Sequence, residues 1–149
     1  MQQSWHDHLR EHFSQGFPAF CGFEVTCVGQ GLFESALHVG EQHRQQDGFV
    51  HAGVLATMAD HTAGYASFTT VSEEFRILTV EFKINYMRPA LGPLLVCRAR
   101  VINSGRQIKV AEAEVYSVAD GIEKLAAKGM FTQMAVAGAE LHPGPAQAA

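Results

Sequence analysis

Asp60 is the residue of this sequence best suited to acid–base or nucleophilic chemistry. It stands in the middle of an apolar stretch, HAGVLATMADHTAGYASF, with Met58, Ala59 and Ala63 around it. No lysine or arginine occurs from Gln45 to Glu74, so no cation at helical i±3 or i±4 spacing can neutralise it. An ionised carboxylate is costly to bury, so Asp60 must be paired, protonated or turned toward a cavity. A buried carboxylate without a local cation has a raised pKa and can serve as general base or nucleophile. The alternative is a surface aspartate beside His61 on the solvent side of a helix. Nine residues earlier, His51, Ala52 and Gly53 stand where the apolar stretch begins. The first N–H groups of a helix are unsatisfied and carry the positive end of its dipole. They can hold a carbonyl and stabilise an oxyanion developing on it, and small residues there permit close approach. A plain helix start is the alternative at these positions.

The elements that must position these groups follow from the pattern of the chain. Residues 52–68 contain no proline and many good helix formers, which predicts one long helix. Gly53 and Gly64 cost it about 1 kcal/mol each relative to alanine. With Ala56 and Ala63 they leave the Asp60 side nearly bare, open to a sheet or a ligand. A shorter amphipathic helix is expected near the N-terminus, within residues 1–15, capped by Ser4 and carrying Trp5, Leu9 and Phe13 on one stripe. Strands are predicted at 23–28 and 32–39, turning at Gly29-Gln30-Gly31, then at 77–87, 95–101, 107–118 and 122–134. Asp120-Gly121 is a strong hairpin signal between the last two. Along 77–87 strict alternation sets Leu78, Val80, Phe82, Ile84 and Tyr86 on one face, with Thr79, Glu81, Lys83 and Asn85 on the other. The expected class is α+β, an antiparallel sheet wrapped around one long central helix in a single domain, residues 1–149. Residues 137–149 are expected to form a flexible tail. Long strands leave edges to cover, and pairing with a second copy would cover them.

Composition narrows the classes further. The chain has 149 residues, 47% hydrophobic and 17% charged, which is ordinary for a globular domain. A net charge of −4 offers no global basic field for nucleic acid. Cys21, Cys27 and Cys97 are odd in number and form no CxxC, which argues against a disulfide framework or zinc site and for a reducing compartment. His6, His8 and His12 could gather a metal, but an exposed helix face is the better explanation of them. The N-terminus lacks the apolar core of a signal peptide, and no apolar run approaches the roughly 18–20 residues needed to span a bilayer. A soluble, cytoplasmic protein is expected, with no membrane or nucleic-acid partner. No G-x-S-x-G elbow, Walker loop or G-x-G-x-x-G is present.

The segment GFVHAGVLATMADHTAGYA resembles the signature of the phenylacetic-acid-degradation (PaaI-like) branch of hotdog-fold acyl-CoA thioesterases, in the 4-hydroxybenzoyl-CoA thioesterase superfamily. VEFKINYMRPA is similar to that branch's third-strand motif, which ends in Tyr-x-x-Pro. The resemblance runs from about Gly16 to Met134. It implies a hotdog fold, with Asp60 as the catalytic carboxylate that activates water or attacks the thioester. It puts Ala52 where the first glycine after the histidine offers its N–H to the thioester carbonyl, and alanine keeps that N–H. Gln45 falls where the family has an asparagine that orients water or carbonyl, with Gln46 as the other candidate. His51 organises the helix start, Thr79 assists water placement, and Gly48 and Gly53 frame the substrate. The resemblance also implies a homodimer whose sites combine Asp60 of one subunit with the N–H and amide groups of the other, assembled as a dimer of dimers. No metal or cofactor is implied beyond coenzyme A as part of the substrate. Arg106, following a glycine in a turn, and Arg88 are the foremost candidates for the CoA phosphates, beside Arg98, Arg100 and Lys109. Solvated sheet-face charge explains each of them as well.

The function expected is hydrolysis of a small or medium acyl- or aryl-acyl-CoA to free acid and CoA. Two other readings are a non-catalytic acyl-CoA-binding module and a hotdog enoyl-CoA hydratase or dehydratase using His51 as base.

Overall fold

The computed structural model describes residues 2–141. A short helix α1 (Gln2–Phe13) and a five-residue helix α2 (Phe17–Cys21) precede the hairpin β1 (Glu24–Gly29) and β2 (Leu32–His38). The long helix α3 (Ala52–Phe68) follows, then β3 (Phe75–Tyr86), β4 (Leu94–Ser104), β5 (Ile108–Ala119) and β6 (Ile122–Ala137). The six strands form one antiparallel sheet in the order β1-β2-β4-β5-β6-β3. This is the α+β arrangement expected, with α3 laid across the concave face.

Small residues let that helix come close. Ala59, Ala63 and Ala66 of α3 are fully buried, and they meet a sheet whose inward positions include Cys97, Ala99, Ala111, Ala113 and Ala127. Phe33, Leu37, Leu95, Val115 and Phe131 fill the rest of the core. Interiors are packed at near-crystalline density, so a leucine at Ala63 would cost about 1–3 kcal/mol by overpacking. The Asp120-Gly121 turn forms as the pair of residues predicts, both with positive φ (51° and 73°). On the convex face an ionic ladder of Arg98 with Glu34 and Glu123, Arg100 with Glu112, and Lys128 with Glu112 and Glu114 faces solvent.

Three expectations need correction, and one element was not predicted. That element is α2, with Pro18 in its first turn, where its missing N–H has no helical partner to lose. Ser4 is not a cap, because α1 already begins at Gln2. Residues 138–141, expected in a loose tail, form a 3-10 turn tied to the sheet by the Gly138 N–H on the Glu74 carbonyl at 2.7 Å; the rest of that tail, 142–149, lies outside the described residues. The alternation of β3 is also not continuous. Thr79 pairs with Gln133 and Glu81 with Thr132, so Val80 is an extra residue in a β-bulge. The bulge reverses the phase, and Thr79 shares the helix-facing side with Phe82, Ile84 and Tyr86 while Leu78 and Glu81 face outward.

Candidate active site

The start of α3 is built by His51 and Gly53. His51 is the N-cap, in extended conformation, and its Nδ1 accepts the Gly53 N–H at 2.8 Å. A Cβ on Gly53 would lie 2.9 Å from that nitrogen, so glycine is what lets the cap close. Because Nδ1 accepts, the imidazole proton sits on Nε2. The His51 carbonyl accepts the N–H groups of Val54 and Leu55. Ala52 N–H is thus the one first-turn donor with no acceptor among the described residues. Tyr86 fixes it from outside, donating its hydroxyl to the Ala52 carbonyl at 3.2 Å.

Two turns further along, Asp60 is half-buried, and its Oδ1 accepts the Thr79 hydroxyl at 2.7 Å. Burial holds its carboxyl above the ordinary carboxylate range; the Thr79 hydrogen bond and the nearby His61 pull the other way without cancelling it. Among the described residues no lysine or arginine reaches it. His61 forms no dyad with Asp60: its Nε2–H is committed to the Phe13 carbonyl at 2.9 Å, and burial lowers its pKa. Asp60 opens on a cavity of about 780 Å³ bounded by Ala56, Tyr65 and Phe82 on one side and His12, Gln15 and Phe17 on the other. A raised-pKa carboxylate at the wall of a mostly apolar cavity is a base poised against an uncharged electrophile.

The other predicted residues divide. Thr79 joins Asp60 because of the bulge. Gln45, expected beside the Asp60 of the other subunit, lies apart from Asp60 of its own chain; its Oε1 accepts the Asp47 N–H, and its backbone closes a turn with Phe49 and Gly48. Gly48 enables that turn with φ +86°. Gln46 is exposed beside it. Arg88 lies near the helix start, in a cleft of about 330 Å³ shared with Ala52 and Tyr86. Met87, Arg88 and Pro89 continue from there into a second cleft of about 610 Å³ that reaches Lys124 and Asp120. Arg106 is exposed in the β4–β5 turn, at the end of the sheet away from Arg88. Arg98 and Arg100 are spent on the ionic ladder, and Lys109 on Ser104 and Gly105. Three contributors were missed from sequence: the Tyr86 hydroxyl, Phe82, and the α1–α2 segment with His12, Gln15 and Phe17. Tyr86 and Phe82 could have been found from the third-strand motif once the bulge was known; nothing local shows that α1 folds back over Asp60. Among the described residues no group of three or more His, Cys, Asp or Glu converges to hold a metal, and no helix is long and apolar enough to cross a membrane.

A six-stranded antiparallel sheet curled around one long helix is the hotdog fold of thioesterases. The chain belongs to the thioesterase superfamily, whose family model matches residues 47–123. It is similar to a thioesterase family protein of Silicibacter pomeroyi, with a TM-score of 0.87 and 36% identity over 90% of this chain and 99% of that one. Human acyl-coenzyme A thioesterase 13 is 31% identical over 110 residues, 73% of this chain and 76% of the relative. The 1,4-dihydroxy-2-naphthoyl-CoA hydrolase of Listeria monocytogenes is 26% identical over 74% of this chain and 87% of the relative.

Proposed function

We propose that the protein hydrolyses acyl-CoA thioesters in a site shared by two copies of the chain, with Asp60 of one as general base and the Ala52 N–H of the other as oxyanion donor. The observation that carries this is a half-buried carboxylate, opening on a mostly apolar cavity, on the same helix as one unsatisfied helix-start N–H. Water held by Asp60 gives it a proton as its oxygen adds to the thioester carbon. The carbonyl electrons move to oxygen, where the Ala52 N–H receives them. Collapse expels the CoA thiolate, which recovers the proton from the Asp60 carboxyl. Thr79 holds the carboxylate in its attacking orientation.

Two copies are needed for a geometric reason. Ala52 and Asp60 are eight residues apart on one helix, about 12 Å at roughly 1.5 Å rise per residue. One carbonyl group cannot touch both. The edge strand β3 supplies the means of assembly. It is paired on one side only, runs for 12 residues, and exposes Leu78, Val80 and Phe82. Such an edge invites a second strand. The acyl group then occupies the Asp60 cavity of one protomer. The CoA arm leaves past Ala52, Tyr86 and Arg88 of the other toward Lys124. Neither the Arg88 guanidinium nor the Lys124 ammonium makes an ion pair or side-chain hydrogen bond among the described residues, leaving both free for phosphate. The similarity to named CoA thioester hydrolases supports the same substrate class.

The test is thiol release from a panel of acyl-CoAs by wild type and Asp60→Asn. Wild type should release CoA, and the variant should lose about 10²–10⁴-fold in kcat. Binding without thiol release across the panel would replace the enzyme with an acyl-CoA-binding module. Nucleophilic attack by Asp60 is separated by a single turnover in ¹⁸O water: label entering the Asp60 carboxylate would show an anhydride route.

A further inference from the structure

We propose that His12 is the end-stop of the acyl cavity, a specificity-determining residue that limits the length of the acyl group and offers a hydrogen-bond donor to its far end. This rests on the thioesterase reading and names the class of acyl group taken.

His12 lies in the last turn of α1, outside the residues matched by the family, and it stands where three clefts meet. One is the Asp60 cavity. A second, of about 390 Å³, is an apolar groove walled by Phe68, Ile77, Leu78 and Leu141 with Arg76 at its side. The third, of about 210 Å³, is bounded by Trp5, His8, Glu73 and Arg76. His12 is the one residue that the Asp60 cavity has in common with either groove. An acyl chain running from Asp60 toward the long apolar groove therefore meets this imidazole.

The ring is held in place. Its Nδ1 lies 2.6 Å from the Tyr65 hydroxyl, and its plane stacks on His8 with centroids 5.7 Å apart. Tyr65 is itself locked against Phe13 and Phe33, at 5.0 and 5.3 Å between centroids. Burial pushes the Tyr65 phenol up to about 12, so the hydroxyl keeps its proton and must donate it. Nδ1 of His12 is the acceptor it has, since leaving a buried hydroxyl unmatched costs about 1–3 kcal/mol. The imidazole proton is then on Nε2. His12 is exposed on its outer side; its partial burial first, with His8 and Arg76 adding to it, lowers its pKa and favours the neutral ring. The titratable and charged groups around it are His8, His61, Tyr65, Arg76 and Glu73; the Arg76 guanidinium already donates to the Glu73 and Phe75 carbonyls. What His12 leaves unpartnered is one N–H, on a ring that lines the mostly apolar Asp60 cavity. The acyl group that fits is short or aromatic and ends in a hydrogen-bond acceptor, a hydroxyl or a carboxylate.

Length and polarity are separable by mutation. His12→Ala joins the Asp60 cavity to the apolar groove, whereas His12→Phe keeps the obstruction and removes the donor. The panel is butyryl-, lauroyl-, palmitoyl-, phenylacetyl-, 4-hydroxyphenylacetyl- and succinyl-CoA. It is read as kcat/KM, and also as Kd in the Asp60→Asn background, where the length profile is measured whether or not turnover occurs. His12→Ala should raise the palmitoyl-to-butyryl preference about tenfold or more. His12→Phe should leave that ratio unchanged and lose up to about tenfold for the hydroxyl or carboxylate substrates against phenylacetyl-CoA, the worth of one hydrogen bond. The 4-hydroxyphenylacetyl and succinyl arms distinguish the two kinds of acceptor. Equal length profiles for wild type and His12→Ala, in both readouts, would overturn the proposal. So would a wild type that takes palmitoyl-CoA as well as butyryl-CoA.

Discussion

The Thr79 hydroxyl donates to Asp60 Oδ1 at 2.7 Å, and it reaches that oxygen because Val80 is squeezed out of register with β6. One extra residue in the edge strand thus links the candidate base to the sheet. The hydrogen bond favours the ionised carboxylate while burial disfavours it, and burial is the larger effect.

Thr79→Val removes the donor at nearly constant volume. Asp60 then loses support for its charged form, so its pKa rises further. The acid limb of the kcat/KM profile should move about one pH unit higher, with activity on that limb falling about tenfold, in line with about 1.5 kcal/mol for a hydrogen bond to a charged group. A pH–rate profile checks this; an unshifted acid limb would reduce Thr79 to a structural role.

Asp60 should also cost the fold stability. Its native pKa lies above the unfolded value, so the native state binds the extra proton, and stability falls as pH rises from the unfolded pKa through the native one. Asp60→Asn should therefore melt higher than wild type at neutral pH. The difference should shrink as the pH is lowered toward the ordinary carboxylate pKa, where both side chains are neutral. Thermal melts across pH read this directly.

Ala52→Pro deletes only the N–H assigned to the oxyanion. Proline is well tolerated at the first helical position, and His51, with ψ 135°, already has the extended backbone that a following proline demands. Stability should change by less than about 1 kcal/mol, while kcat falls about 10²–10³-fold. Mixing Ala52→Pro chains with Asp60→Asn chains should restore activity in the mixed dimers, which keep one complete site. No recovery on mixing would confine the site to a single chain.

Arg88→Ala should raise KM for CoA thioesters about tenfold with little change in kcat, since a phosphate contact remote from the carbonyl contributes uniform binding. The same variant should leave turnover of an N-acetylcysteamine thioester, which lacks the nucleotide and its phosphates, unchanged. The identical experiment on Arg106→Ala compares the two candidates, and the structure favours Arg88 because its cleft begins at Ala52.

Much of the scaffold was legible in the chain itself. The helix over Ala52–Phe68, Asp60 in its middle without a cation, the small residues along it and the Asp120-Gly121 hairpin are all fixed by local propensity, periodicity and turn chemistry. Those forces act within a few residues, so the sequence carries them openly. What only the tertiary structure decided depends on residues far apart in the chain. The bulge at Val80 appears only in the pairing of β3 with β6, and no glycine or proline in β3 marks it; without it Thr79 would face away from Asp60. Gln45 looks free in sequence, yet its amide closes its own turn. His12 and Phe17 reach the Asp60 cavity only because Leu9 and Phe13 bury α1 in the common core. The sequence determined which group could do the chemistry; packing across the sheet and helix decided what surrounds it.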